Sequence, residues 1–180
     1  TRTEVVEDIQ KGDEIVTRVI GTQPRGFRGP HFGRFQRPEN LALIYDTIRN
    51  MDYTFATTTV PEFGFRHGPA HNHNGLFEFP LSGSSMSPIS LLDSYTYLRN
   101  LNDRTVTDEY GNLLRTTLET LTRWHIVGLI NIYVDPSNVE KSNGFFDGLE
   151  ISRQLGIPSN NYADVVAMLS DKKEHNQIRK

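Results

Sequence analysis

The sequence predicts an α+β fold: a small mixed domain with short helices and strands, two long irregular stretches and an extended basic arm. Three observations carry that expectation. Windows such as NLALIYDTIRNM repeat apolar residues at helical intervals, whereas YTFATTTV is a run of β-branched and aromatic residues. The two kinds of window do not alternate in the regular order that builds a parallel sheet. Residues 21–38 and 61–87 show no periodicity and are rich in Gly and Pro. The 180 residues suffice for one domain with its own core, so residues 1–180 are expected to form a single domain.

Taken in order, EVVEDIQKGDEIVTRVIG predicts a hairpin, with Lys11-Gly12-Asp13 as the turn between two short strands. Residues 21–38 form an arm, because Pro24, Pro30 and Pro38 interrupt any regular element. A helix follows, with Asn40 as N-cap and Leu41, Ile44, Tyr45, Ile48 and Met51 on one side, and then a strand over 53–60. Residues 61–87 are expected to be an irregular loop containing the histidines, extended only over 76–81. Ser87 before Pro88 opens a helix carrying Leu91, Leu92, Tyr95, Leu98 and Leu101. A second helix over 113–124 presents Leu114, Leu118 and Leu121, a stripe that continues to Trp124. IVGLINIYV reads as a strand buried on both faces, packed with that helix as the central core. A terminal helix pair spans 146–170 and turns at Gly156-Ile157-Pro158, and 171–180 form a charged tail.

Composition narrows the function classes. The chain has no cysteine, which removes disulfides, thiolate metal sites and cysteine nucleophiles. No run approaches a membrane span and TRTEVVEDIQ has no apolar leader, so a soluble protein without signal peptide is expected, cytoplasmic or within a particle. The net charge of -3 argues against a surface devoted to nucleic acid. The charge is uneven, however: no acid lies between Glu14 and Glu39, and RGFRGPHFGRFQR interleaves Arg25, Arg28, Arg34 and Arg37 with Phe27, Phe32 and Phe35.

Arginine and aromatic residues are the types enriched at protein interfaces. These seven residues are therefore expected to bind partner subunits, either copies of the chain or different chains. The function expected is that of a non-catalytic assembly subunit, with a virus or phage particle as one setting, and neither enzyme activity nor a cofactor is expected. The alternative is a small nucleic-acid-binding protein, in which the four arginines contact phosphates and Asn160 and Asn161 read base edges. Ile151, Ser152, Leu155, Gly156, Ile157 and Val165 support that alternative, since their pattern resembles a helix-turn-helix.

A third reading starts from RHGPAHNHNGLFE, where His67, His71 and His73 precede Glu78. His71-x-His73 with Glu78 five positions later resembles the first metal motif of the cupin family. The resemblance implies a metal-dependent enzyme with His71, His73 and Glu78 as ligands. The family's second motif is not found in the sequence, and no metal is expected.

Overall fold

The computed structural model describes residues 1–30, 32, 35–88, 108–140 and 143–177, and the chain divides into two compact units. Unit 1 draws on 1–59, 70–79 and the stretch from 160, and unit 2 on 60–69 and 80–159. The helix expected after Pro88 lies outside the described residues.

Unit 1 opens with α1, Arg2–Ile20, where the sequence predicts a hairpin. The intervals from Val5 to Ile9, Val16 and Ile20 are helical ones, and both ends carry stop signals. Thr1 Oγ1 accepts from Glu4 N–H at 3.3 Å and the Glu4 carboxylate pairs with the Thr1 amino group, closing a capping box. At the other end Gly21 takes a left-handed conformation and donates to Thr17 O at 2.9 Å. Lys11-Gly12-Asp13 is thus a helical stretch and not a turn.

The second helix, α2, spans Pro38–Arg49 and buries Leu41, Ile44, Tyr45 and Ile48, as the spacing predicts. Its cap is Arg37 and not Asn40: the proline at the first helical position holds its predecessor in an extended conformation.

The sheet of unit 1 has strands β1 (Gly26–Phe27), β2 (Phe55–Ala56), β3 (His71–His73) and β4 (Leu76–Glu78), in the order β1-β2-β4-β3. The first three in that order run parallel, and β3 lies antiparallel to β4. The turn of the β3–β4 hairpin is Asn74-Gly75, both at positive φ, which is the pair that a tight hairpin turn selects. Register places Phe27, Ala56 and Glu78 on one face and Gly26, Phe55 and Phe77 on the other. The last helix of the chain, Tyr162–Gln177, belongs to this unit and takes in most of the expected charged tail. Its Tyr162 ring stacks on Phe55 at 4.9 Å and lies 5.4 Å from Phe79.

Unit 2 contains α3 (Pro61–His67), α4 (Asp108–Arg123), α5 (Pro136–Val139) and α6 (Asn143–Gln154), so the final helix is α7. The stretch 61–87 is accordingly more regular than its composition suggests, holding α3, β3 and β4. Tyr110, Leu114, Leu118, Val139 and Phe145 form the buried core of unit 2. α4 meets α6 at Gly111, where an added Cβ would fall 1.8 Å from Gly144 O, so the backbones touch only because no side chain stands between them.

Two expectations about this core are corrected. Trp124 is 70% exposed, because α4 ends at Arg123 and His125 reverses the chain with φ of 51°. IVGLINIYV is not a strand buried on both sides: Ile126 and Val127 are exposed, while Ile130, Ile132 and Val134 half-bury against the core. Asn131, between them, exchanges hydrogen bonds with Ser82, accepting from its N–H at 2.8 Å and donating to its hydroxyl at 2.9 Å. It also donates to Pro80 O at 3.1 Å. A segment with a buried amide on its second face cannot be apolar on both.

α6 and α7 are joined by a turn in which Gly156 has φ of 67°, and they fall in different units. The pair expected over 146–170 therefore begins earlier and runs further, from 143 to 177.

Leu118 is only 5% exposed, so Leu118→Ala is expected to cost about 2–5 kcal/mol in urea unfolding. Ile130→Ala, at a half-buried site, is expected to cost less, and Trp124→Ala to stay within about 0.5 kcal/mol.

Candidate functional site

The Arg/Gly/Phe stretch is where the sequence places its interest, and its first part is stitched into unit 1. Arg25 O accepts from Thr54 N–H at 2.9 Å, and Phe27 O accepts from Thr57 N–H at 2.9 Å. Gly26 is required at its position, because a Cβ there would lie 2.0 Å from the Phe55 ring. Beyond the strand, Gly29 N–H donates to Thr58 Oγ1 at 3.2 Å and Gln36 Nε2 donates to Thr58 O at 2.9 Å.

The side chains of the stretch sort by chemistry. Phe27 packs edge-on against Tyr53 with ring centres 6.5 Å apart, and Arg28 donates to the Tyr162 hydroxyl at 3.0 Å while lying over the Phe32 ring. Phe35 is half-buried, whereas Arg25 and Arg37 are exposed. Arg34 lies outside the described residues. Of the nucleic-acid candidates at the other end, Asn161 precedes α7 and acts as its cap: its side-chain oxygen accepts from Asp164 N–H at 2.9 Å and its amide donates to the Asp164 carboxylate at 2.6 Å. Asn160 is exposed.

The threonines that receive the stretch are themselves fixed by Glu78. Its Oε1 accepts from Thr58 N–H at 2.8 Å, Thr59 N–H at 2.9 Å and Thr59 Oγ1 at 2.7 Å. β2 has ended by then, so these two N–H groups have no strand partner and the carboxylate takes that part. Tyr45 of α2 covers the same face. Its hydroxyl stands beside Glu78 Oε2 outside hydrogen-bonding geometry, and neither atom has a formed hydrogen bond. Burial pushes the Glu78 carboxyl above its ordinary value, outweighing the Thr58 and Thr59 donors and the nearby Tyr45 hydroxyl, and pushes the Tyr45 phenol up as well.

The hairpin also carries the histidines. His71 pairs with Glu78 in register, and His73 faces Tyr45 with ring centres 5.2 Å apart. His67 ends α3 in unit 2, its ring 4.3 Å from Phe63. Among the described residues no group of three or more His, Cys, Asp or Glu side chains is arranged to hold a metal ion. The sequence reading offers Glu78 as a ligand, and the geometry engages it with backbone N–H groups.

The remaining feature is a cleft of about 410 Å³ in unit 1. One wall is α1, with Val5, Ile9, Gly12 and Val16 and the carboxylates Asp8 and Asp13. Pro24, Phe27, Pro30 and Phe35 of the Arg/Gly/Phe stretch make the other, and Ile44 and Tyr53 also line it. The Tyr53 hydroxyl donates to Asp13 Oδ1 at 2.8 Å, bridging the cleft's two sides. Reading α1 as a hairpin hides this wall. The signal that finds it is the 5-9-12-16 spacing, together with Thr1 and Glu4 as a capping box.

The raised Glu78 value gives a pH dependence with a definite sign. The folded chain holds the proton more tightly than the unfolded one, so stability is expected to fall as pH rises from the ordinary glutamate value, 4.5, to the higher folded value, and then to level off. Glu78→Gln keeps an acceptor for Thr58 and Thr59 and is expected to abolish this decline in urea titrations at stepped pH. Glu78→Ala strands both N–H groups and is expected to cost roughly 1–3 kcal/mol for each.

No protein-family model, curated protein or solved structure matches the chain, and the functional reading rests on this geometry.

Proposed function

We propose that this chain is a non-catalytic subunit of a larger protein assembly, docked on neighbouring copies through the C-terminal half of α1 and the exposed arginines that follow it. The observation that carries the reading is that α1, 19 residues long, contains no buried residue. Val19 is 75% exposed and Ile15 43%, with Ile20 beside them. Helices in proteins draw most of their stability from packing an apolar face, and contiguous exposed apolar residues mark interaction surfaces.

The chemistry around that surface fits a second copy. Arg18 ends α1 and Arg25 follows it, while Glu4, Glu7 and Asp8 occupy the helix's first half. Two such helices crossing antiparallel at their C-terminal ends bring Val19 and Ile20 of each onto the other, the self-complementary contact of a two-fold dimer, and leave the basic residues beside it for an acidic neighbour. Arg37 is a further outward cation for an acidic neighbour. Phe27, Phe32 and Phe35 serve within unit 1 in this arrangement, and the outward charge beside the docking face falls to Arg18, Arg25 and Arg37. A particle of many copies, such as a virus or phage shell, is an assembly of this kind.

Native mass spectrometry and light scattering test the proposal. The chain is expected to associate at micromolar concentration, and Val19→Glu combined with Ile20→Glu to give monomers of unchanged helical circular dichroism. A chain that stays monomeric up to about 100 μM, equivalent to an association weaker than about 5.5 kcal/mol, overturns it.

A further inference from the structure

We propose that the cleft between α1 and the Arg/Gly/Phe stretch is a binding site for a small amphiphilic amine, its apolar body seated between α1 and Phe27 and its ammonium group paired with Asp8 and Asp13. This goes beyond the assembly reading and does not depend on it, since Val19 and Ile20 are not part of the cleft.

Size and lining come first. About 410 Å³ lies within the range of small-molecule sites, which are largely apolar with a few placed polar groups. Every lining residue belongs to unit 1.

Charge selects the head group. The ionised residues of the lining are Asp8, Asp13 and Arg28. Arg28, just past β1, has its guanidinium engaged with the Tyr162 hydroxyl at 3.0 Å. The two carboxylates remain on the α1 wall. Asp13 accepts from Tyr53, and Asp8, five residues earlier on the same helix, is exposed. The field in the cleft is acidic, which suits a cation on an apolar body and repels a fatty acid.

Gly12 is the decisive residue. It lies in the interior of a 19-residue helix, where glycine is destabilising relative to alanine. Its φ is not in the left-handed range, and an added Cβ would meet nothing within 4 Å. Neither conformation nor packing within the chain calls for a glycine. What its missing side chain leaves is room in the cleft, against the α1 wall, for an occupant to approach the helix backbone.

Calorimetric titration of the full chain with n-decylamine, below its micelle concentration, tests the site, with n-decanoate as the control for head-group charge. The amine is expected to saturate one site per chain, and decanoate to show no saturable binding. Asp8→Asn is expected to weaken the amine by about two- to fivefold, the scale of an exposed ion pair. Gly12→Leu is expected to abolish binding while leaving the melting midpoint equal or higher. Should that variant fail to fold, Gly12→Ala is expected to melt higher and bind more weakly. Absence of saturable amine binding, equal binding of decanoate, or an unchanged affinity in a folded Gly12 variant each overturns the proposal. A Gly12→Leu chain that binds amine normally but no longer associates would overturn it in favour of a neighbouring chain's segment as the occupant.

Discussion

The grip of Glu78 on Thr58 and Thr59 is the interaction on which the rest of unit 1 depends. Strand β2 is two residues long, and the threonines after it leave the sheet with their N–H groups buried. A buried carboxylate is costly on its own, and three donors on one oxygen offset part of that cost. Thr58, once placed, receives Gly29 and Gln36, and so sets the course of the Arg/Gly/Phe stretch from both sides of its middle. That course positions Phe27 and Phe35 as a wall of the cleft. A single side chain on β4 thereby shapes a surface formed by residues about fifty positions earlier.

The division of labour within the stretch follows from that anchoring. A strand edge paired with Thr54 to Thr57 has an inner and an outer side, so an evenly mixed run of arginine and phenylalanine becomes sorted on folding. Phe27 goes against Tyr53, and Arg28 is drawn to Tyr162, which lies on Phe55 and Phe79. Arg25 and Arg37 flank the paired segment and keep their charge in solvent. The stretch is then both a structural edge and a source of outward charge, two functions that composition alone does not separate.

Legibility in the sequence tracks how far each element is governed by its own residues. α2 and α4 were readable because their apolar intervals coincide with buried positions, Leu41 to Ile48 and Leu114 to Leu118. α1 was misread because Lys-Gly-Asp imitates a turn, although its ends carry a capping box and a left-handed glycine. The β3–β4 hairpin is legible in the sequence as Asn74-Gly75, the pair that a tight hairpin turn selects. β1 was not readable at all, since two residues become a strand only through the register of Phe55 and Ala56. Glu78 was singled out for its neighbours in sequence, whereas its role is set by Thr58 and Thr59, nearly twenty positions away.

Tyr162 has a consequence for how the molecule is made. Unit 1 takes its first strands from the early part of the chain and its α7 from the stretch beyond residue 160, with most of unit 2 translated in between. On the ribosome, Phe55 and Phe79 emerge long before the tyrosine that covers them, and Arg28 emerges before its hydroxyl partner. Unit 2 is likewise incomplete until Leu155 and Ile157, which pack against its core, have been made. The aromatic surface of Phe55 and Phe79 therefore stays open until Tyr162 has been made, and a chain cut short before that residue would carry it uncovered.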